Sequence, residues 1–375
     1  FTSVVWPIMA VSQLIEMRSR GKASLKRIGE LLEAKPDVVD GPDVTEPAPL
    51  KGRIEFRNLT FRHPGAEYDA LTDVSFTIEA GEQVGIIGKM PGMNDILSDE
   101  MAVYSKIGPE YRYDSIGAVV KHMEATTKEE IDARIKLDHE IFDIDPKRSY
   151  ESHYEAIKMY FGFKKYMDEN GLDAFTAHFD VFAEDGRFKQ LPLLAASHLM
   201  ADGYGYAAEG DSMCAAMVAA AHCLGDDDAN FTEMYAMDFK RGSIIFCHAG
   251  EGNWATHRKD VKPQIIDRFL AEGGLENPPT PRFTPEVGRA TLTSLASACG
   301  NKFRLIIAMG DMQPDNNMPN NEMPYFFWKP DCGPAQCVQK WLQNGGTHHE
   351  VINLGDISRR WEMLADMLDI ECVRI

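Results

Sequence analysis

The sequence predicts a mixed α/β fold for most of its 375 residues, and two patterns support this prediction. Between residues 126 and 225, apolar side chains recur at helical spacing in several segments separated by glycine-containing turns. From residue 243 onward, short apolar runs of strand length become frequent. We therefore expect a central α/β part and a C-terminal part of mainly antiparallel strands with helices, preceded by a helical stub and a short β segment.

The first fifty residues predict a helical stub and a linker. Residues 1–14 are apolar but too short to span a bilayer, and no basic residues precede them as in a signal peptide. Residues 18–33 carry apolar side chains on one helical face, and Pro36 ends this helix. Residues 37–49 are rich in Pro, Asp and Gly, which is typical of a linker.

The next segment contains strand-like runs that lead to a glycine at position 88. Residues 51–65 and 70–88 resemble the start of an ABC-transporter nucleotide-binding domain, and the stub before them resembles the end of a transporter transmembrane domain. Such a domain would continue with a phosphate loop ending in Gly-Lys-Ser/Thr, which holds the nucleotide phosphates. Residues 89–94, Lys-Met-Pro-Gly-Met-Asn, lack that pattern. We therefore predict a truncated transporter fragment over residues 1–88, with no ATP-binding residues.

The remaining elements follow from caps and periodicity. Thr126 and Glu129 have the spacing of a capping box that opens a helix. Asp211 is expected to be the N-cap of an alanine-rich helix, residues 212–224. Further helices are predicted at residues 151–169 and 193–200, and a last helix is capped by Asp356 and runs to about residue 368. Strands are predicted at residues 174–179, 243–248, 303–308 and 350–353.

Charge and cysteine content exclude some function classes. The net charge of −19 argues against binding to nucleic acid or anionic lipid, because both require clustered Lys and Arg. The seven cysteines are scattered and odd in number, without a CxxC pair, which favours a reduced compartment. We expect a cytoplasmic protein, with membrane association conceivable only through the N-terminal stub.

Two carboxylates and two imidazoles stand out as a possible ligand set for a divalent metal such as Mn²⁺ or Zn²⁺. Glu209 lies in a glycine-rich turn, Glu233 in a Glu-Met-Tyr segment, His248 after an apolar run, and His349 after Gly-Gly-Thr-His. Their spacing fits no local metal motif. Taken singly, each has an ordinary structural interpretation as a solvated turn carboxylate, a core histidine or a loop histidine.

Several segments in the second part of the chain resemble L-arabinose isomerases, in the same order as in that family. The resemblance spans about residues 89–375, and the motifs lie at residues 175–179, 189–192, 203–211, 231–235 and 344–351. It implies a Rossmann-like central domain and a metal site formed by Glu209, Glu233, His248 and His349, with Mn²⁺ or another divalent cation as cofactor. It also implies that Phe179 and His348 contact the sugar, although core packing is an equal alternative for Phe179.

The resemblance implies a reaction in carbohydrate metabolism, the conversion of an aldose into a ketose through a cis-enediol. A proton moves between C2 and C1, with Glu209 and Glu233 as acid and base. A divalent cation at the two sugar oxygens would stabilise the negative charge that develops there. The expected enzyme is a metal-dependent intramolecular oxidoreductase.

The chain departs from that family in ways that leave other functions open. The family's N-terminal domain is missing from the resemblance, and the transporter-like fragment stands in its place, as in a chimera. Activity could therefore be impaired. One alternative is an inactive chimera that binds only metal or sugar, and another is an ATP-binding component of an ABC transporter.

These interpretations divide the chain into four parts. We predict a stub and linker at 1–50, a truncated nucleotide-binding fragment at 51–82, a central domain at 83–227 and a C-terminal domain at 228–375. The expected partners are a small-molecule sugar and further copies of the chain in a homo-oligomer, because family members assemble with active sites at subunit contacts.

Overall fold

The structure is a computed structural model. It describes residues 22, 26, 54–62, 69, 71–78, 100–146, 148–225, 228–270, 274–298, 302–314 and 318–375. The chain divides into two compact units, Phe1–Val84 and Gly85–Ile375. The predicted stub and linker lie outside the described residues except for helical positions 22 and 26, and so does the segment 79–99 that contains the predicted glycine loop.

The first unit contains a pair of strands. Strands β1 (Ile54–Phe61) and β2 (Leu71–Ile78) pair antiparallel, with register irregularities around Leu59. Asn58 Nδ2 donates to Asp73 Oδ1 at 2.5 Å across the pair. Among the described residues no further strand joins this two-stranded sheet.

The second unit begins with helices whose ends are set by side-chain caps. The capping box of α3 is formed by Thr127 and Glu130, one residue later than predicted, with Thr127 N donating to Glu130 Oε2 at 2.8 Å. Thr126 instead donates its hydroxyl to the His122 carbonyl at 2.9 Å.

The helices are α1 (Glu100–Lys106), α2 (Ile116–Glu124), α3 (Lys128–Ile141), α4 (Tyr150–Asn170), α5 (Asp180–Asp185), α6 (Leu193–Ala201), α7 (Ser212–Leu224), α8 (Pro334–Gln343) and α9 (Ser358–Leu368).

A buried polar network joins three of these helices. Asp138 on α3 is 0% exposed, and it accepts hydrogen bonds from Arg134 Nε at 3.0 Å, His153 Nε2 at 2.8 Å and His198 Nε2 at 3.2 Å. Burial by itself raises the pKa of Asp138, but the charges and hydrogen bonds of His198, His153 and Arg134 outweigh it and hold that pKa far below its usual range. The network therefore keeps a carboxylate ionised between the helices.

The parallel strands β4 (Ala174–Ala177) and β5 (Gly205–Ala208) lie under α7, which also packs against strands of the C-terminal part. A Cβ on Gly205 would lie 2.2 Å from the Ala215 carbonyl of α7, so glycine allows this close approach. The strand predicted for residues 174–179 is shorter in the structure because the chain turns into α5. The helix predicted for 212–224 has the expected bounds and N-cap Asp211.

The C-terminal part is an antiparallel barrel. The strand order is β10-β13-β6-β7-β12-β11, and β11 also pairs with β10, so the ring of strands closes. Strand β14 pairs parallel with β11 outside this ring, and β3, β8 and β9 form a separate sheet. The bounds are β3 (Asp143–Ile144), β6 (Ala229–Asp238), β7 (Ser243–Cys247), β8 (Gln264–Asp267), β9 (Pro279–Arg282), β10 (Gly288–Ala298), β11 (Lys302–Met312), β12 (Tyr325–Pro330), β13 (His349–Leu354) and β14 (Glu371–Arg374).

The mixed α/β fold class with a mainly antiparallel C-terminal part is confirmed. Aromatic side chains such as Phe246, Phe326 and Trp328 are buried between the barrel strands. The last helix starts at Ser358 rather than directly after Asp356, whose carboxylate accepts from the Ser358 backbone N–H at 3.1 Å. Among the described residues, no helix has the length and apolar character needed to cross a membrane.

Candidate metal centre

Glu209 occupies a strained turn between β5 and α7. Its φ is +63°, in the left-handed region that few residues other than glycine adopt, and Gly210 follows with φ +81°. The next residue, Asp211, caps α7 by accepting from the Cys214 backbone N–H at 2.9 Å. The turn places the Glu209 carboxylate, with a side chain only 15% exposed, beside the start of β13.

A glycine turn brings His348 and His349 to the same place. A Cβ on Gly346 would lie 2.3 Å from the Trp341 indole, so glycine is needed for this close approach. Trp341 Nε1 donates to the Thr347 carbonyl at 2.9 Å and fixes the chain just before the histidines. His349 then opens β13 with its side chain fully buried.

Glu209, His348 and His349 form a group that could hold a metal ion, with one ligand atom of each lying within 4.8 Å of the others. Glu209 Oε2 lies 3.6 Å from His349 Nε2 and 3.9 Å from His348 Nε2. Within the part of the chain that the structure describes, Glu209 Oε2 and His349 Nε2 are buried without a hydrogen-bond partner. Since buried polar atoms are normally paired, the two atoms fit a shared cation between them.

Asp211 orients His349 for this role. Its Oδ2 lies 3.0 Å from His349 Nδ1, and both side chains are buried. A proton held on Nδ1 by this carboxylate leaves the Nε2 lone pair directed to Glu209, which is the arrangement of metal-binding histidines. The sequence predicted Asp211 only as a helix cap, because a contact across 138 residues has no local signal.

His248 lies just beyond the end of β7, and its ring centroid is 5.2 Å from that of His349. Phe231 packs edge-on against both rings. His248 Nδ1 lies 2.9 Å from Glu251 Oε2, and Glu251 Oε1 accepts from the Tyr206 hydroxyl at 2.8 Å. Both predicted histidine ligands therefore have Nδ1 engaged by a buried carboxylate, and sequence reasoning missed Glu251 and Tyr206.

The charges of the cluster shift its pKa values in opposite directions. Burial raises the pKa of Glu209, but the neighbouring His348 and the charges of His349 and His248 outweigh it, so that pKa lies below its usual value. Burial lowers the pKa of His248, but Glu251 outweighs it, with Glu233 and Glu209 adding to the effect, and that pKa is raised. The cluster thus favours ionised carboxylates beside imidazoles.

Glu233 lies on β6 directly opposite His349 in the register of β6 and β13, and it is half-buried. It is outside the group formed by Glu209, His348 and His349. The neighbouring Met234 backbone N–H is held by Glu350 Oε2 at 3.1 Å. The predicted ligands Glu233 and His248 therefore lie beside the cluster, while His348, predicted to contact sugar, lies within it.

Phe179 is at the N-terminus of α5. Its ring is stacked on that of His178, with 4.4 Å between centroids. It packs against the apolar cluster formed mainly by α2, α4 and α6. Core packing accounts for this position of Phe179, and its predicted contact with sugar stays a prediction.

The geometry defines a mixed α/β unit with a carboxylate–histidine cluster between β5, β7 and β13. In a comparison with known protein families, residues 95–227 of this unit match the L-arabinose isomerase central domain, and residues 228–371 match the L-arabinose isomerase C-terminal domain. Residues 95–371 therefore comprise the central and C-terminal domains of the L-arabinose isomerase family. Residues 1–88 precede both matches, and their transporter resemblance stays a prediction.

Individual relatives agree with this assignment. The chain is 33% identical over 283 residues to an L-arabinose isomerase of Clostridium beijerinckii, covering 74% of this chain and 56% of that protein. It is 30% identical over 266 residues to L-arabinose isomerase 2 of Clostridium acetobutylicum, covering 68% of this chain and 53% of the relative. It is 28% identical over 284 residues to an L-arabinose isomerase of Geobacillus kaustophilus, covering 74% of this chain and 56% of that relative. The chain thus spans a little over half the length of these relatives.

Proposed function

We propose that the chain is a metal-dependent aldose–ketose isomerase, an intramolecular oxidoreductase that acts on L-arabinose or a related sugar. The observation that carries this proposal is the pair of buried, unsatisfied atoms Glu209 Oε2 and His349 Nε2, 3.6 Å apart, with Asp211 behind the histidine. Glu209, His349 and His348 would hold Mn²⁺ or another divalent cation, with His248 and Glu233 nearby. The matched family domains support a sugar as the substrate.

Two carboxyl groups of the chain carry out the proton transfer in this proposal. One carboxylate of the pair Glu209 and Glu233 removes the proton from C2 of the aldose, and the other carboxyl group helps return a proton at C1. The hydroxyl proton moves from O2 to O1, so the conversion to the ketose is balanced without an outside oxidant. When bound, a divalent cation supplies positive charge near the two sugar oxygens and so lowers the energy of the enediol.

The site also determines which protonation states are populated. The lowered pKa of Glu209 keeps this carboxylate ionised at neutral pH, as a ligand of a cation must be. With Nδ1 bonded to Asp211 or Glu251, the histidines have Nε2 atoms that are available as ligands.

Mn²⁺ binding by calorimetry is the first test. We expect one Mn²⁺ per chain for the wild type and for Glu140→Gln, which removes an exposed carboxylate from α3. Glu209→Gln and His349→Asn should lose this binding. Wild-type protein without Mn²⁺ affinity would rule the proposal out.

Turnover separates an enzyme from the inactive chimera. Release of ketose from L-arabinose by Mn²⁺-loaded protein, absent in Glu233→Gln, supports the isomerase. Mn²⁺ binding with no turnover of any aldopentose supports the alternative, a protein that binds only metal or sugar. The four-part division of the chain, the homo-oligomer and the cytoplasmic location remain proposals.

A further inference from the structure

His178 and Glu209, a residue of the candidate metal centre, directly follow the paired strands β4 and β5. The two strands are parallel, and Ala177 at the end of β4 pairs with Ala208 at the end of β5. Paired strands are separated by about 5 Å. The next residues, His178 and Glu209, therefore leave the same edge of the strand pair, and Glu209 is the carboxylate of the metal-binding group.

The two ring nitrogens of His178 have different surroundings. The Asp180 backbone N–H donates to Nδ1 at 3.2 Å, and the Asp180 carboxylate lies 3.4 Å from the same nitrogen. Nδ1 is thus engaged by the start of α5. Nε2 is buried and has no hydrogen-bond partner in the described part of the chain, and the side chain is only 9% exposed.

A helix-capping role explains Nδ1 but leaves Nε2 unexplained. Burying a polar atom without a partner is unfavourable, so such atoms are exceptions that need a cause. A hydroxyl group both donates and accepts, and it would satisfy Nε2 in either tautomer. A sugar presents hydroxyl groups beside the oxygens that face the metal-binding group, and the proximity of His178 to Glu209 matches this.

We propose that His178 Nε2 hydrogen-bonds a hydroxyl of the sugar substrate and so helps to determine which sugar binds. This inference rests on the proposed isomerase function. Nδ1 holds the ring in place through α5, and Nε2 makes the contact with substrate. His178 would act in binding and not in proton transfer.

Two substitutions of His178 test the roles of its two ring nitrogens separately. His178→Asn places an amide oxygen near the position of Nδ1 and can still cap α5, but it lacks a group at Nε2. His178→Gln extends an amide towards the position of Nε2. The probe is L-arabitol, a polyol that cannot be isomerised, titrated into Mn²⁺-loaded protein.

For the loss of one neutral hydrogen bond we expect His178→Asn to weaken L-arabitol binding about tenfold. His178→Gln should stay within about threefold of the wild type, because its amide replaces the hydrogen bond. Mn²⁺ affinity and melting temperature should be unchanged in both variants. With L-arabinose as substrate, KM should rise in His178→Asn while kcat is retained.

Each other outcome overturns the inference in a different way. If wild-type protein binds Mn²⁺ and L-arabitol and His178→Asn binds both equally well, the inference is wrong and the proposed function stands. If His178→Asn loses Mn²⁺ affinity or thermal stability along with L-arabitol binding, His178 is a structural residue. If the wild type binds neither Mn²⁺ nor L-arabitol, the proposed function fails and the inference fails with it.

Discussion

The Asp211 carboxylate bonds two elements at once: Oδ2 lies 3.0 Å from His349 Nδ1, and Oδ1 accepts from the Cys214 backbone N–H at 2.9 Å. The first contact orients a histidine at the start of a barrel strand. The second caps the helix that follows the Glu209 turn. One side chain therefore ties the geometry of the candidate metal centre to the start of α7.

Replacing Asp211 by Asn should separate these two roles. The amide oxygen can still cap α7, but an amide N–H facing His349 Nδ1 would force the imidazole proton onto Nε2. We expect Mn²⁺ affinity to fall about 10- to 100-fold, with a melting temperature near that of the wild type. Calorimetry and thermal unfolding measure both. Asp356→Asn is the matched control, because that carboxylate also bonds the start of a helix, and its Mn²⁺ affinity should be unchanged.

Gly346→Ala should disrupt the turn before His348. The added Cβ would lie 2.3 Å from the Trp341 indole, which is fully buried and cannot move aside easily. We expect a loss of about 1–3 kcal/mol in the free energy of unfolding, together with weaker Mn²⁺ binding. Urea unfolding measures the first effect. Gly242→Ala has open space around its Cβ and should cost about 1 kcal/mol from its positive φ alone, without affecting Mn²⁺.

The network around Asp138 should make stability depend on pH. The pKa values of Asp138 and His198 are both lowered in the folded state from 3.8 and 6.5. Each lowered pKa contributes to the stability of the folded state at pH values above the pKa of the unfolded chain, and this contribution is lost as pH falls. The loss begins below pH 6.5 for His198 and below pH 3.8 for Asp138. Urea midpoints measured from pH 7 to pH 3 should decrease in this order.

Asp138→Asn tests the same network at neutral pH. It leaves the Arg134 guanidinium, whose side chain is only 14% exposed, without its carboxylate. We expect a loss of about 3–5 kcal/mol and a weaker dependence of stability on pH below 4. The control Asp132→Asn lies on the same helix, where the Asp132 side chain is 42% exposed and pairs with Lys128, and it should change stability by less than about 1 kcal/mol. Equal effects of the two substitutions would contradict the role of the network.

The capping box of α3 offers a further test. Thr127 Oγ1 accepts from the Glu130 backbone N–H at 3.3 Å, and Glu130 Oε2 accepts from Thr127 N at 2.8 Å. Thr127→Ala should reduce the free energy of unfolding by about 1 kcal/mol. Thr126→Ala should not reduce the free energy of unfolding through loss of the α3 cap, because the Thr126 hydroxyl donates to a carbonyl at the end of α2. A larger effect at Thr126 would favour the capping box first predicted from the sequence.

The sequence by itself determined the elements whose signals are local. Helix α7, its N-cap Asp211 and the bounds of α4, predicted at 151–169 and found at Tyr150–Asn170, are encoded within a few residues of each position. Glu209, Glu233, His248 and His349 are candidate ligands because the short segments around them resemble those of L-arabinose isomerases. The one-residue error at Thr127 shows the limit of this approach, because two adjacent threonines offered the same cap.

Only the tertiary structure decided which of these side chains meet. Three contacts join residues that are far apart in the chain: the closure of β10 onto β11, the contact of Asp211 with His349, and the pairing of Ala177 with Ala208. Such contacts depend on strand pairing and on helix packing, for which a local pattern holds no information. The sequence therefore supplied the candidate ligand types and their local supports, whereas packing placed His348 in the group that could hold a metal ion and left Glu233 beside it.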